Sequence, residues 1–106
     1  MTDRPKILIV DDELFNVDYL EQELEDLNYD TVSAANGEEG LKQVAATQPD
    51  MILLDIMMPV MDGFEMLQKL KDEPDWRDIP VVIISAINDV NSIARGIQLG
   101  ADDYLP

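Results

Sequence analysis

The chain has 106 residues, 46% of them apolar, and its 23 acids against 7 bases give a formal net charge of -16. That composition supports one domain with a hydrophobic core, while the charge repels nucleic-acid phosphates and anionic lipid and favours divalent cations and basic partner surfaces. With neither Cys nor His present, disulfides, thiolate nucleophiles, imidazole bases, Cys- or His-bound zinc and a phosphohistidine on the chain itself are all excluded.

Lys6-Ile7-Leu8-Ile9-Val10 is a short apolar run rich in β-branched residues, as a buried parallel strand requires, and it stops at Asp11-Asp12-Glu13. Leu14, Val17, Leu20, Leu24 and Leu27 recur at spacings of three and four and predict one apolar face of a first helix. Tyr29 to Ala34 reads as a second strand, and Asn36-Gly37 as a turn. Glu38 to Thr47 is a helical segment with Leu41, Val44 and Ala45 expected inside. Asp50 to Leu54 is a third buried strand ending at Asp55, followed by a loop with Pro59 and Gly63. Phe64, Leu67 and Leu70 mark a third helix bounded by Pro74. Pro80 to Ile84 is a fourth strand ending at Ser85. Val90, Ile93, Ala94 and Ile97 give a fourth helix closed by Gly100, and Ala101 to Leu105 begins a fifth strand.

Strands alternating with helices need crossover connections, so the expected class is α/β, a parallel sheet with helices on both faces. Asp11, Asp12, Asp55 and Ser85 all sit at or just past a strand's carboxyl end. Ligands of open α/β sheets bind at those ends, beside the point where strand order reverses. If the first and third strands are neighbours, the three aspartates converge. Carboxylates so gathered repel one another, and a hard cation resolves the conflict; an oxygen-only ligand set points to Mg²⁺. A carboxylate can also attack phosphorus to give an aspartyl-phosphate, with the protein contributing positioning and electrostatics.

Each residue also has a plainer reading. Acids after strands are often helix caps, Ser85 suits a turn, and Tyr104 on a strand suits core packing. Met57, Met58 and Met61 suit gap-filling, and Glu21, Glu23, Glu25 and Asp26 a solvated helix face. No segment has the make-up of a signal peptide and no apolar run nears the roughly 20 residues of a membrane span, which points to a soluble, cytoplasmic protein.

The run Ile7-Leu8-Ile9-Val10-Asp11-Asp12-Glu13 resembles the opening of two-component response-regulator receiver domains. Leu54-Asp55-Ile56-Met57-Met58-Pro59-Val60-Met61-Asp62-Gly63 is similar to that family's phosphorylation loop, and Ile83-Ile84-Ser85-Ala86 and Gly100-Ala101-Asp102-Asp103-Tyr104 match its later landmarks in order. The resemblance covers essentially the whole chain, residues 1–106. It implies a flavodoxin-like, doubly wound sheet of five parallel strands in the order 2-1-3-4-5. It also implies that Asp55 is the phosphoacceptor, fed by a sensor histidine kinase or a histidine phosphotransfer protein. Mg²⁺ would be held by Asp12 directly, by Asp11 through water, by Asp55 and by the backbone carbonyl of Met57. Ser85 would hydrogen-bond the phosphoryl group, and Tyr104 would rotate inward, shifting the population between two states and altering the surface of the fourth helix and fifth strand, where a homodimer could form. Such a domain catalyses its own phosphorylation and dephosphorylation and turns over no independent substrate.

The chain departs from the family pattern at its end. Receivers carry a lysine shortly after the fifth strand and then a fifth helix, whereas this sequence stops at Leu105-Pro106, so the expectation is a C-terminally incomplete domain lacking its final helix. Two other classes compete: an aspartyl-nucleophile phosphohydrolase, which would want a second acid where Met57 stands, and an unphosphorylated pseudo-receiver interaction module. An EF-hand is disfavoured because the alternating Asp/Asn pattern is missing.

Overall fold

The computed structural model describes residues 4–55, 63–84, 97–98 and 100–105, the last three by their backbone. In chain order these form β1 (Lys6–Val10), α1 (Leu14–Asp26), β2 (Asp30–Ala34), α2 (Gly37–Thr47), β3 (Met51–Asp55), α3 (Gly63–Asp72), β4 (Val81–Ile84) and β5 (Asp103–Leu105). The strands make one parallel sheet in the order β2-β1-β3-β4-β5, as the resemblance implied. The strands themselves match the sequence reading to within one or two residues.

Side chains alternate across the sheet and build a core on each face. Leu8, Val10, Ile52, Leu54, Val81 and Ile83 point to one side, where Val44 of α2 and Phe64, Met66, Leu67 and Leu70 of α3 close over them. Ile7, Ile9 and Leu53 point to the other, where α1 packs through Val17, with Leu20 and Leu24 at its margin. Burial on both faces explains why β1 and β3 read as continuous apolar runs rather than alternating ones.

Three helix expectations need correction. Leu14 and Leu27 are not part of the packed face of α1; they are 77% and 65% exposed. At about 100° per residue, Leu14 lies roughly 90° from the direction shared by Val17, Leu20 and Leu24. Leu27 is the C-cap of α1, past its last helical turn. Ala45 is likewise exposed, because α2 turns Gly37, Gly40 and Val44 toward the sheet. Asn36-Gly37 does mark the turn out of β2, and Gly37 also opens α2, with Asn36 as its N-cap and its side chain accepting from the Glu39 N–H. The predicted fourth helix, including Val90, Ile93 and Ala94, falls outside the described residues except at its end. There Ile97 is 54% exposed. Gly100 has φ 109° and donates its N–H to the Ile97 carbonyl at 3.0 Å, as a closing glycine should.

Candidate functional site

The strand order puts β1 beside β3, and the register pairs Val10 with Leu54. Asp11 and Asp55 therefore leave the sheet at the same level on adjacent strands. The Asp11 N–H makes the last rung toward β2, donating to the Ala34 carbonyl at 3.1 Å. Its carboxylate Oδ1 then accepts the Glu13 N–H at 2.9 Å. This Asx-type turn bends the chain at Asp12 and delivers it into α1, so Asp11 is a turn-former as well as a charge.

Asp11 is 4% exposed and, among the described residues, the buried charged side chain. Asp12 is exposed and Asp55 is half-buried. One carboxylate oxygen from each of the three lies within 4.8 Å of the others. Ile9, Val10 and Leu54 beneath them are fully buried, so the carboxylates stand on a low-dielectric floor. At such spacing each pair repels by an amount on the order of a few kcal/mol at an intermediate effective dielectric. The donor set is all oxygen, and the spacing lets one hard dication meet all three, directly or through its own waters. The residues present fit Mg²⁺.

Of the other predicted site residues, Met57 and Ser85 lie outside the described residues, as do Met58, Pro59 and Met61. The backbone of Tyr104 is in β5, paired with Ile83 of β4. Asp55 pairs with Ile84, the last residue of β4, so Ser85 follows the strand next to the carboxylate cluster in sequence.

Sequence reasoning overlooked the groups that hold Asp11 in place: the Glu13 amide, the Ala34 carbonyl and, behind it, the cap of α2. Backbone partners leave no compositional mark. The Asn-x-x-Glu pattern at positions 36 to 39 is a capping signature and was available. The exposure of Leu14 and Phe15 (82%) at the start of α1, two and three residues after Asp12 in sequence, was also missed.

A family model described as the response regulator receiver domain matches residues 7–106. The chain is 40% identical over 102 residues to the probable transcriptional regulator ycf27 of Porphyridium aerugineum, an alignment covering 96% of this chain and 41% of that protein. It is 45% identical over 100 residues to the response regulator PleD of Caulobacter vibrioides, covering 94% of this chain and 22% of PleD. The chain thus spans less than half the length of either curated relative. Among solved structures, the phosphorylated cyanobacterial phytochrome response regulator RcpA matches with a TM-score of 0.89 at 28% identity, over 97% of this chain and 80% of that one.

Proposed function

Because the chain belongs to the response regulator receiver domain family, we propose that residues 1–106 form a phosphoacceptor module whose Asp55 carboxylate takes a phosphoryl group in a two-component phosphorelay. The observation that carries this reading is the gathering of Asp11, Asp12 and Asp55 at the carboxyl edge of two neighbouring strands.

In this reading the donor is a phosphohistidine on a kinase or phosphotransfer protein. A carboxylate oxygen of Asp55 attacks the phosphorus in line, forming the P–O bond as the P–N bond breaks, and the imidazole leaves with the bonding electron pair. Asp12 and Asp55, the Met57 carbonyl and, through water, Asp11 would hold Mg²⁺. The ion when bound neutralises charge on the transferring phosphoryl group. Asp11, buried and fixed by the Glu13 amide, orients the acidic cluster rather than reacting. Ser85 would hydrogen-bond a phosphoryl oxygen and draw its loop inward, and Tyr104 would follow, biasing a two-state surface on β4 and β5.

The partner reading rests on surface chemistry. Leu14 and Phe15 offer exposed apolar area at the start of α1, and the overall charge of -16 favours a basic partner. The same charge makes the module unsuited to touching DNA, so the output is carried by another segment or another protein. No described helix is long and apolar enough to cross a membrane, in keeping with a cytoplasmic role.

Incubation with a small phosphodonor and Mg²⁺ should add one phosphate by intact-mass analysis, and Asp55→Asn should add none. Phosphate addition that persists in that variant would sink the assignment, and steady turnover of the donor's analogues would favour a phosphohydrolase instead.

A further inference from the structure

The Ala34–Ala35 peptide unit is bonded at both ends. Its carbonyl accepts the Asp11 N–H at 3.1 Å, and its own N–H donates to Oε2 of Glu39 at 3.4 Å. Glu39 is the third residue of α2, and its backbone N–H donates to Oδ1 of the N-cap Asn36 at 2.9 Å. This is a capping box shifted by one residue, with the glutamate reaching back past the N-cap to the residue before it. The shift has a consequence. In the ordinary box both bonds serve the helix, whereas here the returning carboxylate grips a peptide whose other end is bonded to the acidic pocket.

From this juxtaposition we propose that Glu39 is a positioning residue for the cation pocket, setting Asp11 through the Ala34–Ala35 peptide. An anionic acceptor on the peptide N–H polarises the unit and strengthens the carbonyl as an acceptor, tightening its hold on the Asp11 N–H. On its other side Asp11 is tied through Oδ1 to the Glu13 amide at 2.9 Å. Backbone and carboxylate of Asp11 are thus each held by a separate hydrogen bond. Partners outside the ligand set that orient a ligand commonly change metal affinity on removal. Glu39 itself is exposed and lies on a different strand connection from every proposed ligand.

The inference rests on the cation reading of the pocket, and its test separates the two. Mg²⁺ affinity is measured by calorimetric titration, and amide exchange at Asp11 is followed by NMR in the metal-free protein. Glu39→Ala should weaken Mg²⁺ binding by about tenfold, the low end for loss of a group that orients a ligand, and speed exchange at the Asp11 amide. Glu39→Gln, which keeps an oxygen acceptor and the capping geometry but loses the negative charge, should restore both in part. Glu38→Ala, with the same loss of charge one residue away and also exposed, should leave affinity within about twofold, the margin for long-range screening alone. Equal effects of Glu39→Ala and Glu38→Ala on both readouts would overturn the positioning role while leaving the pocket intact. Wild-type protein that binds no Mg²⁺ would overturn the cation reading and the inference with it.

Discussion

Asp11 and Asp12 are neighbours in sequence with opposite surroundings, and mutation should separate their duties. The Asp11 carboxylate is 4% exposed and closes a turn by accepting the Glu13 amide, so it is structural even without a cation. Asp11→Ala removes that acceptor as well as a charge from the cluster, whereas Asp12→Ala removes only the charge, so in the metal-free protein Asp11→Ala should be about 1 kcal/mol less stable than Asp12→Ala. Asp12 is exposed, makes no such turn and adds a negative charge to two others. Asp12→Ala should leave metal-free stability within about 0.5 kcal/mol of wild type, or raise it, while abolishing measurable Mg²⁺ binding. Urea unfolding in chelator, paired with Mg²⁺ titration, reads both quantities. Equal destabilisation by the two variants would show that burial does not divide their roles.

At the scale of the elements, the sheet and most inward helix positions, among them Val17, Val44, Phe64, Leu67 and Leu70, were legible from large apolar residues, while the glycine-lined part of α2 was not. Ile7 to Val10 and Ile52 to Leu54 are buried on both sides, and a run of large apolar residues announces that directly. The aspartates that end those strands were equally plain, since acids cannot continue a buried run without a partner. In α2 the predicted Leu41 and Val44 do face the core, but Gly37 and Gly40 share that face, and because glycine carries no hydrophobic signal Ala45 attracted the prediction instead. The reason for glycine is close approach of α2 to α3. A Cβ built at Gly40 would sit 2.8 Å from Met66 Cε, 3.0 Å from its Sδ and 3.1 Å from Val10 Cγ2. Met66 is flexible, but it is fully buried and has little room to move aside. Gly40→Ala should therefore destabilise by roughly 1–3 kcal/mol, outweighing alanine's better helix propensity of about 1 kcal/mol. A thermal or urea midpoint at or above wild type would mean that Met66 repacks freely. Position matters too: Val10 immediately precedes Asp11, so this contact also braces the strand that carries the acidic pocket.

For the whole molecule, the net charge of -16 makes two kinds of cation effect expected, and they can be told apart. Like charges spread over the surface oppose the compact state, and any salt relieves this by screening, since the Debye length falls from about 30 Å at 0.01 M to about 10 Å at 0.1 M. A site built from Asp11, Asp12 and Asp55 adds a second, specific gain, because an ion that binds only the folded chain stabilises it by mass action. At free Mg²⁺ about one hundred times its dissociation constant this amounts to roughly 2.7 kcal/mol. For a domain of this size that is a rise in melting temperature of roughly 10 °C or more. At matched ionic strength NaCl should reproduce the screening part alone, so the excess given by Mg²⁺ measures the pocket. Asp12→Ala should retain the response to NaCl and lose the excess, because it removes one of 23 acids from the general field but a third of the carboxylates from the site. If wild type and Asp12→Ala gain equally from Mg²⁺, the ion is acting on the surface charge and not in the pocket.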